Sequence, residues 1–130
     1  MKLLNDFYEI IEEQGAGDKE QGVTDDFTAQ VRLNADHFIY KAHFPKKPIT
    51  PGVCLVQMAG ELLEQRLQKN LKLNTAVNIK FRRPVEPTAT PTFLFRKMSV
   101  NDGKLNVSVS VECEDIQFVR MSLLYDIIEN

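Results

Sequence analysis

Residues 42–70 read AHFPKKPITPGVCLVQMAGELLEQRLQKN. Pro45, Pro48, Pro51 and Gly52 crowd its first part and exclude regular structure there. A helix follows at once. Pro51 suits the first helical position, which needs no amide donor, and Thr50 is placed to cap it. Val53 stands where a capping box would need Glu or Gln. Leu55, Met58 and Leu62 form one apolar stripe, and Val56, Ala59, Leu63 and Leu67 form another. A helix apolar over most of its circumference is buried rather than laid on a surface. One polar line remains, Gln57, Glu61, Glu64 and Gln68, and the spacing predicts an end near Asn70.

Outward from this helix the chain reads as strand. Val77, Ile79 and Phe81 alternate with Asn78, Lys80 and Arg82. Pro84, Pro87 and Pro91 frame a loop before a strand at Phe93–Ser99. Asn101-Asp102-Gly103 is a hairpin signal, because Asp-Gly tolerates the positive backbone angles of a tight turn. Leu105, Val107, Val109 and Val111 alternate cleanly, then Glu114-Asp115 turns the chain into a strand with Val119, Met121, Leu123 and Tyr125 on one face. Before the helix, Phe27, Ala29, Val31 and Leu33 share one face of a strand within Val23–Leu33, after a turn over Gly15–Gly22. Phe7–Glu13 fits a short helix or a strand equally well. One buried helix with five or six mainly antiparallel strands makes an α+β domain whose sheet curls round the helix.

The composition sets outer limits. The chain has 130 residues, one domain's worth, taken as a single unit over 1–130. Lys and Arg number 16 and Asp and Glu 18, a net charge of −2. That balance gives no general attraction to nucleic acid or to an anionic membrane. Two cysteines, Cys54 and Cys113, make no disulfide framework and suit a reducing compartment. With no secretory signal and no long apolar run, a cytoplasmic location is expected.

The chemistry concentrates before the helix. His43 sits on a proline-stiffened loop that feeds a helix start. Free amides at such a start attract the partial negative charge of a polarised carbonyl, and Gly52 permits close approach to the backbone. A histidine there is either a hydrogen-bonded loop residue or an acid/base group beside a carbonyl. His37 and His43 lack a third ligand, and no phosphate-binding glycine motif is present, so neither a metal nor a cofactor is expected. Cys54 reads as core, although a helix start lowers a thiol pKa.

His43-Phe44-Pro45, Pro48 and Pro51-Gly52-Val53, followed by Asn78-Ile79-Lys80-Phe81-Arg82-Arg83-Pro84-Val85-Glu86-Pro87, resemble the loop, helix start and next strand of the 3-hydroxyacyl-acyl-carrier-protein dehydratases. The resemblance covers about residues 23–127 and is sharpest over 38–87. It implies a hotdog fold, with Phe7–Gln14 as first strand, and a dimeric double hotdog whose active site lies in a tunnel between two copies. It implies that His43 moves the proton next to a thioester carbonyl. Gly52, with Val53, would polarise that carbonyl, and Phe44 would help hold the substrate. The implied partner is acyl carrier protein or a coenzyme A thioester.

Three departures qualify the resemblance. Gln57, fourteen residues after His43, stands where the family carries a catalytic carboxylate. An amide cannot exchange the hydroxyl proton, though it can hold a hydroxyl or a water. Glu61 lies one turn further along the same polar line, either as the missing carboxylate or as part of a solvated stripe. Ala42 replaces the family's glycine, and Lys46-Lys47 replaces Gly-Asn. With Arg82 and Arg83, the lysines are either a bland loop or a basic rim for an acidic carrier. Three functions follow: a dehydratase, a non-catalytic acyl-thioester binder or inactive partner subunit, and a hotdog thioesterase.

Overall fold

The computed structural model describes residues 1–15, 26–42 and 46–128. The elements run β1 (Tyr8–Gly15), β2 (Phe27–Leu33), α1 (Phe38–Ala42), α2 (Gly52–Leu67), β3 (Asn70–Phe81), β4 (Thr92–Asn101), β5 (Lys104–Cys113) and β6 (Ile116–Ile128). The strands form one six-stranded sheet in the order β1-β2-β4-β5-β6-β3, antiparallel throughout. This is the hotdog arrangement. The ambiguous segment near Phe7 is strand β1, because β2 offers it a ladder from Tyr8↔Leu33 to Gly15↔Phe27. The start of the predicted second strand and most of the Gly15–Gly22 turn lie outside the described residues.

The alternation read from sequence decides which face is inside. Phe27, Ala29, Val31 and Leu33 are buried, as are Leu105, Val107, Val109 and Val111. Val119, Met121, Leu123 and Tyr125 complete that face. Against it lie Leu55, Met58, Ala59, Leu62 and Leu63 of α2, so helix and sheet share one core. The opposite side of the first half of α2 is not covered in the same way: Val53 and Gln57 are exposed and Val56 is half-buried, so the full burial expected from its apolar circumference holds for the sheet-facing side. At the β4–β5 hairpin, Asp102 and Gly103 take φ of 51° and 71°, as the Asp-Gly signal requires.

Four local details differ from the sequence reading. Helix α2 begins at Gly52 with Pro51 as its N-cap, and no side chain caps it. The Thr50 hydroxyl pairs instead with that of Tyr40, at 2.9 Å, and is buried there. The helix stops at Leu67, because Gln68 turns left-handed (φ 55°) and Asn70 already pairs with Ile128 of β6. In β3, Asn78 is left-handed (φ 54°) within a bulge between Val77 and Lys80, which breaks the expected alternation. Val77 and Phe81, on this edge strand, are about half exposed, at 47% and 57%.

Helix α1 has no counterpart in the sequence reading. The His37 ring caps it: Ile39 N–H donates to His37 Nδ1 at 3.1 Å. His37 Nε2 lies 3.1 Å from Asp6 Oδ2, which ties α1 to the N-terminal segment. Both ring nitrogens thus have structural partners. No helix among the described residues is long and apolar enough to cross a membrane.

Met58 is fully buried at the centre of this core. Met58→Ala is expected to lower unfolding free energy by about 2–5 kcal/mol, read from denaturant titration. A loss below about 1 kcal/mol would contradict the packing of α2 inside the sheet.

Candidate active site at the start of the central helix

His43 and Phe44 lie outside the described residues, but both flanks of their loop are anchored. On one side α1 ends at Ala42, with Tyr40 buried and stacked 5.2 Å from Phe7. On the other, Thr50 N–H donates to Val85 O at 2.8 Å. The Tyr40–Thr50 hydroxyl pair joins the two sides. Burial pushes the Tyr40 phenol up to about 12, so it stays protonated.

Gly52 opens α2, where the first N–H groups have no acceptor within the helix. The Phe81 ring packs on it so closely that a Cβ at this position would lie 2.7 Å from Phe81 Cζ. Arg82, Arg83 and Leu55 join these two residues around a cleft of about 360 Å³. The structure thus brings two of the four basic residues to the helix start. Lys46 and Lys47 are exposed beside the undescribed stretch. Cys54 is buried, and burial pushes its thiol up, which fits a core role. Val53 is 75% exposed.

Gln57 and Glu61 form one hydrogen-bonded unit. Gln57 Nε2 donates to Glu61 Oε2 at 3.0 Å and also to the Met1 carbonyl. Glu61 is buried and accepts three further bonds: from Leu3 N–H at 2.8 Å, Leu4 N–H at 2.9 Å and Tyr8 Oη at 3.0 Å. Burial, then the Glu61 charge and hydrogen bond, push the Tyr8 phenol far up, so it remains a donor. Neither solvated-stripe nor free-carboxylate describes Glu61 here. Its oxygens hold the N-terminal segment and orient Gln57. The sequence reading missed this clamp, because its donors lie more than fifty residues away along the chain.

Beside Gln57 a second cleft, of about 510 Å³, runs between α2 and β3. Val53, Val56, Leu71 and Leu73 make it largely apolar, with Gly60 and Tyr125 further along.

Residues 19–120 match the family model of the ApeI dehydratase, the ApeI-like family. The 3-hydroxyacyl-[acyl-carrier-protein] dehydratase FabZ of Bartonella quintana is 34% identical over 107 residues, 76% of this chain and 68% of that one. FabZ of Bartonella henselae is 32% identical over the same shares. Among solved structures, the dehydratase heterocomplex ApeI:P from Xenorhabdus doucetiae superposes with a TM-score of 0.61 at 18% identity, covering 90% of this chain and 96% of that one. The HP0420-homologue of Helicobacter felis superposes with a TM-score of 0.66 at 15% identity, covering 98% and 78%. At these identities the structures share the fold.

Glu61→Ala removes the acceptor of four hydrogen bonds at once. It is expected to cost about 2–4 kcal/mol and to speed amide exchange at Leu3 and Leu4 before the core exchanges. Unchanged protection at those two amides would show that the clamp does not hold the segment.

Proposed function

This chain belongs to the ApeI-like dehydratase family, and we propose that it reversibly dehydrates a 3-hydroxyacyl thioester on acyl carrier protein to the trans-2-enoyl thioester. The observation that carries this reading is the match itself. It spans His43, Gly52 and Gln57 together and extends to relatives named as 3-hydroxyacyl-acyl-carrier-protein dehydratases.

In this reading the amide of Gly52, with that of Val53, holds the thioester carbonyl, and Phe44 flanks it. Charge developing on that oxygen meets the positive end of α2. His43 takes the proton from the carbon beside the carbonyl. The carbon–oxygen bond at the third carbon then breaks. Gln57 cannot supply a proton, so the imidazolium of His43 returns the one it took, and the hydroxyl leaves as water. Gln57 holds the departing water through its amide oxygen, which accepts one of the water's O–H bonds. Glu61 acts through Gln57, fixing its amide by the 3.0 Å bond.

The assembly follows from the two sheet edges. Strand β1 presents Glu9, Glu12 and Glu13, which discourage pairing. Strand β3 instead exposes Leu73, Val77 and Phe81, with Val53 nearby on α2. We assign β3 to the contact between two copies, in the cytoplasm. Lys46, Lys47, Arg82 and Arg83 then form the basic entrance for an acidic carrier or for the phosphate of a coenzyme A arm.

A second reading, a thioester-binding or partner subunit without turnover, rests on one observation: both bonds that Gln57 donates already go to the protein. Hydration of a short enoyl thioester on acyl carrier protein, followed by mass spectrometry, separates the two. A gain of one water, reduced about 10²–10⁴-fold in His43→Ala, is expected. Binding without any mass change would establish the second reading, and release of free acid would establish thioester hydrolysis.

Gln57→Glu puts a carboxylate next to the Glu61 oxygen now 3.0 Å from the amide. Like charges that close raise one of the two pKa values. The variant is expected to stay active and to gain a fall on the alkaline side of its pH–rate profile, as the carboxyl that can now give the hydroxyl a proton ionises. An unchanged profile would remove Gln57 from the reacting centre.

A further inference from the structure

Tyr125 is 3% exposed, yet its hydroxyl has no hydrogen-bond partner. It is the one such buried side-chain polar atom among the described residues. A buried donor left unpaired is costly, and native structures rarely keep one without a use. The phenol reaches α2 at Gly60, where a Cβ would stand 3.5 Å from both Tyr125 Cε1 and its hydroxyl oxygen. Both residues line the apolar cleft of about 510 Å³ that also contains Gln57. Glu64, on the same wall, accepts Leu71 N–H at 2.9 Å through Oε2 and makes no hydrogen bond to the phenol. Burial, then the Glu64 charge, hold the phenol protonated, so what Tyr125 offers the cleft is a donor.

We propose that Tyr125 is a specificity residue that donates a hydrogen bond to an oxygen carried on the acyl chain, beyond the carbons that react. This deepens the dehydratase reading and rests on it for the direction of the chain. With the thioester carbonyl at Gly52, Gly60 lies eight residues further along α2, about 12 Å at 1.5 Å per residue. The third carbon of the substrate cannot span that distance, so the oxygen Tyr125 meets belongs to the distal chain. A plain alkyl chain fills the apolar walls but leaves the hydroxyl unpaired. A chain bearing a hydroxyl or carbonyl at the right place satisfies it. Discrimination here works by the penalty on the chain lacking an acceptor.

The test uses unreactive pantetheine amides of 3-hydroxyacyl chains. One carries a plain alkyl chain, and a matched set carries one additional hydroxyl at successive distal carbons. Calorimetry compares the full chain with Tyr125→Phe. The parent is expected to bind the best member of the oxygenated set about five- to tenfold more tightly than the alkyl amide. Tyr125→Phe is expected to bring the two within about twofold, by weakening the oxygenated ligand alone. Its thermal midpoint should equal or exceed the parent's, since an unpaired buried donor has been removed. No preference in the parent, a preference that survives in the variant, or a clear loss of stability in the variant would each overturn the proposal. The last would mean that the hydroxyl has a partner within the protein. Preference without turnover of the matching thioesters would leave this inference standing and remove the dehydratase reading. Turnover without preference would do the reverse.

Discussion

The antiparallel sheet must bury one whole side of a central helix, and the rest of the molecule follows from that. Met58, Ala59, Leu62 and Leu63 of α2 are completely enclosed. A helix so enclosed can carry few polar groups, and each one it carries needs a partner of its own. Glu61 is the one carboxylate among the described buried residues. Its charge is tolerable because four donors converge on it. Three of them come from the N-terminal segment, which packs Leu3 and Phe7 into the core as it supplies them. The polar line of the helix and the path of the N-terminus are therefore one solution to one problem.

The same constraint organises the site. A helix held inside the sheet presents its N-terminus, at Gly52, at a fixed place beside the start of the proline-rich loop's far flank. The Tyr40–Thr50 pair and the Thr50–Val85 bond brace that loop from both sides. Gln57 inherits its orientation from Glu61, so an amide with two possible faces is held with its nitrogen toward the carboxylate and the Met1 carbonyl. Preorganisation of this kind matters more for an uncharged group than for a carboxylate, because an amide acts only by where its donors and its one acceptor oxygen point.

Much of this was legible along the chain. Period-two alternation located β2, β5 and β6 and their inner faces, because burial on one side of a sheet imposes that period directly on composition. The helix was legible from its two apolar stripes, and the Asp-Gly turn from its backbone demand. Where local signals competed with pairing, the reading slipped. Thr50 looked like a cap but is claimed by Tyr40. The end of α2 is set by the left-handed turn at Gln68 together with the Asn70–Ile128 pairing, earlier than the apolar stripes alone suggest. The bulge at Asn78 leaves no mark in a pattern of alternating residues. Helix α1 depends on a histidine ring as its cap, a residue type that does not announce a helix start.

By itself the sequence determined the class of fold, the identity of the central helix, and the set of residues around His43, Gly52 and Gln57 in which the chemistry is sought. Those properties rest on periodicity and on short spacings, which are local. The tertiary structure alone decided what Glu61 does and where Tyr125 leads. A carboxylate's role depends on which donors reach it, and here they come from the opposite end of the chain. A phenol's role depends on what it fails to touch, which no pattern of neighbours along a strand records.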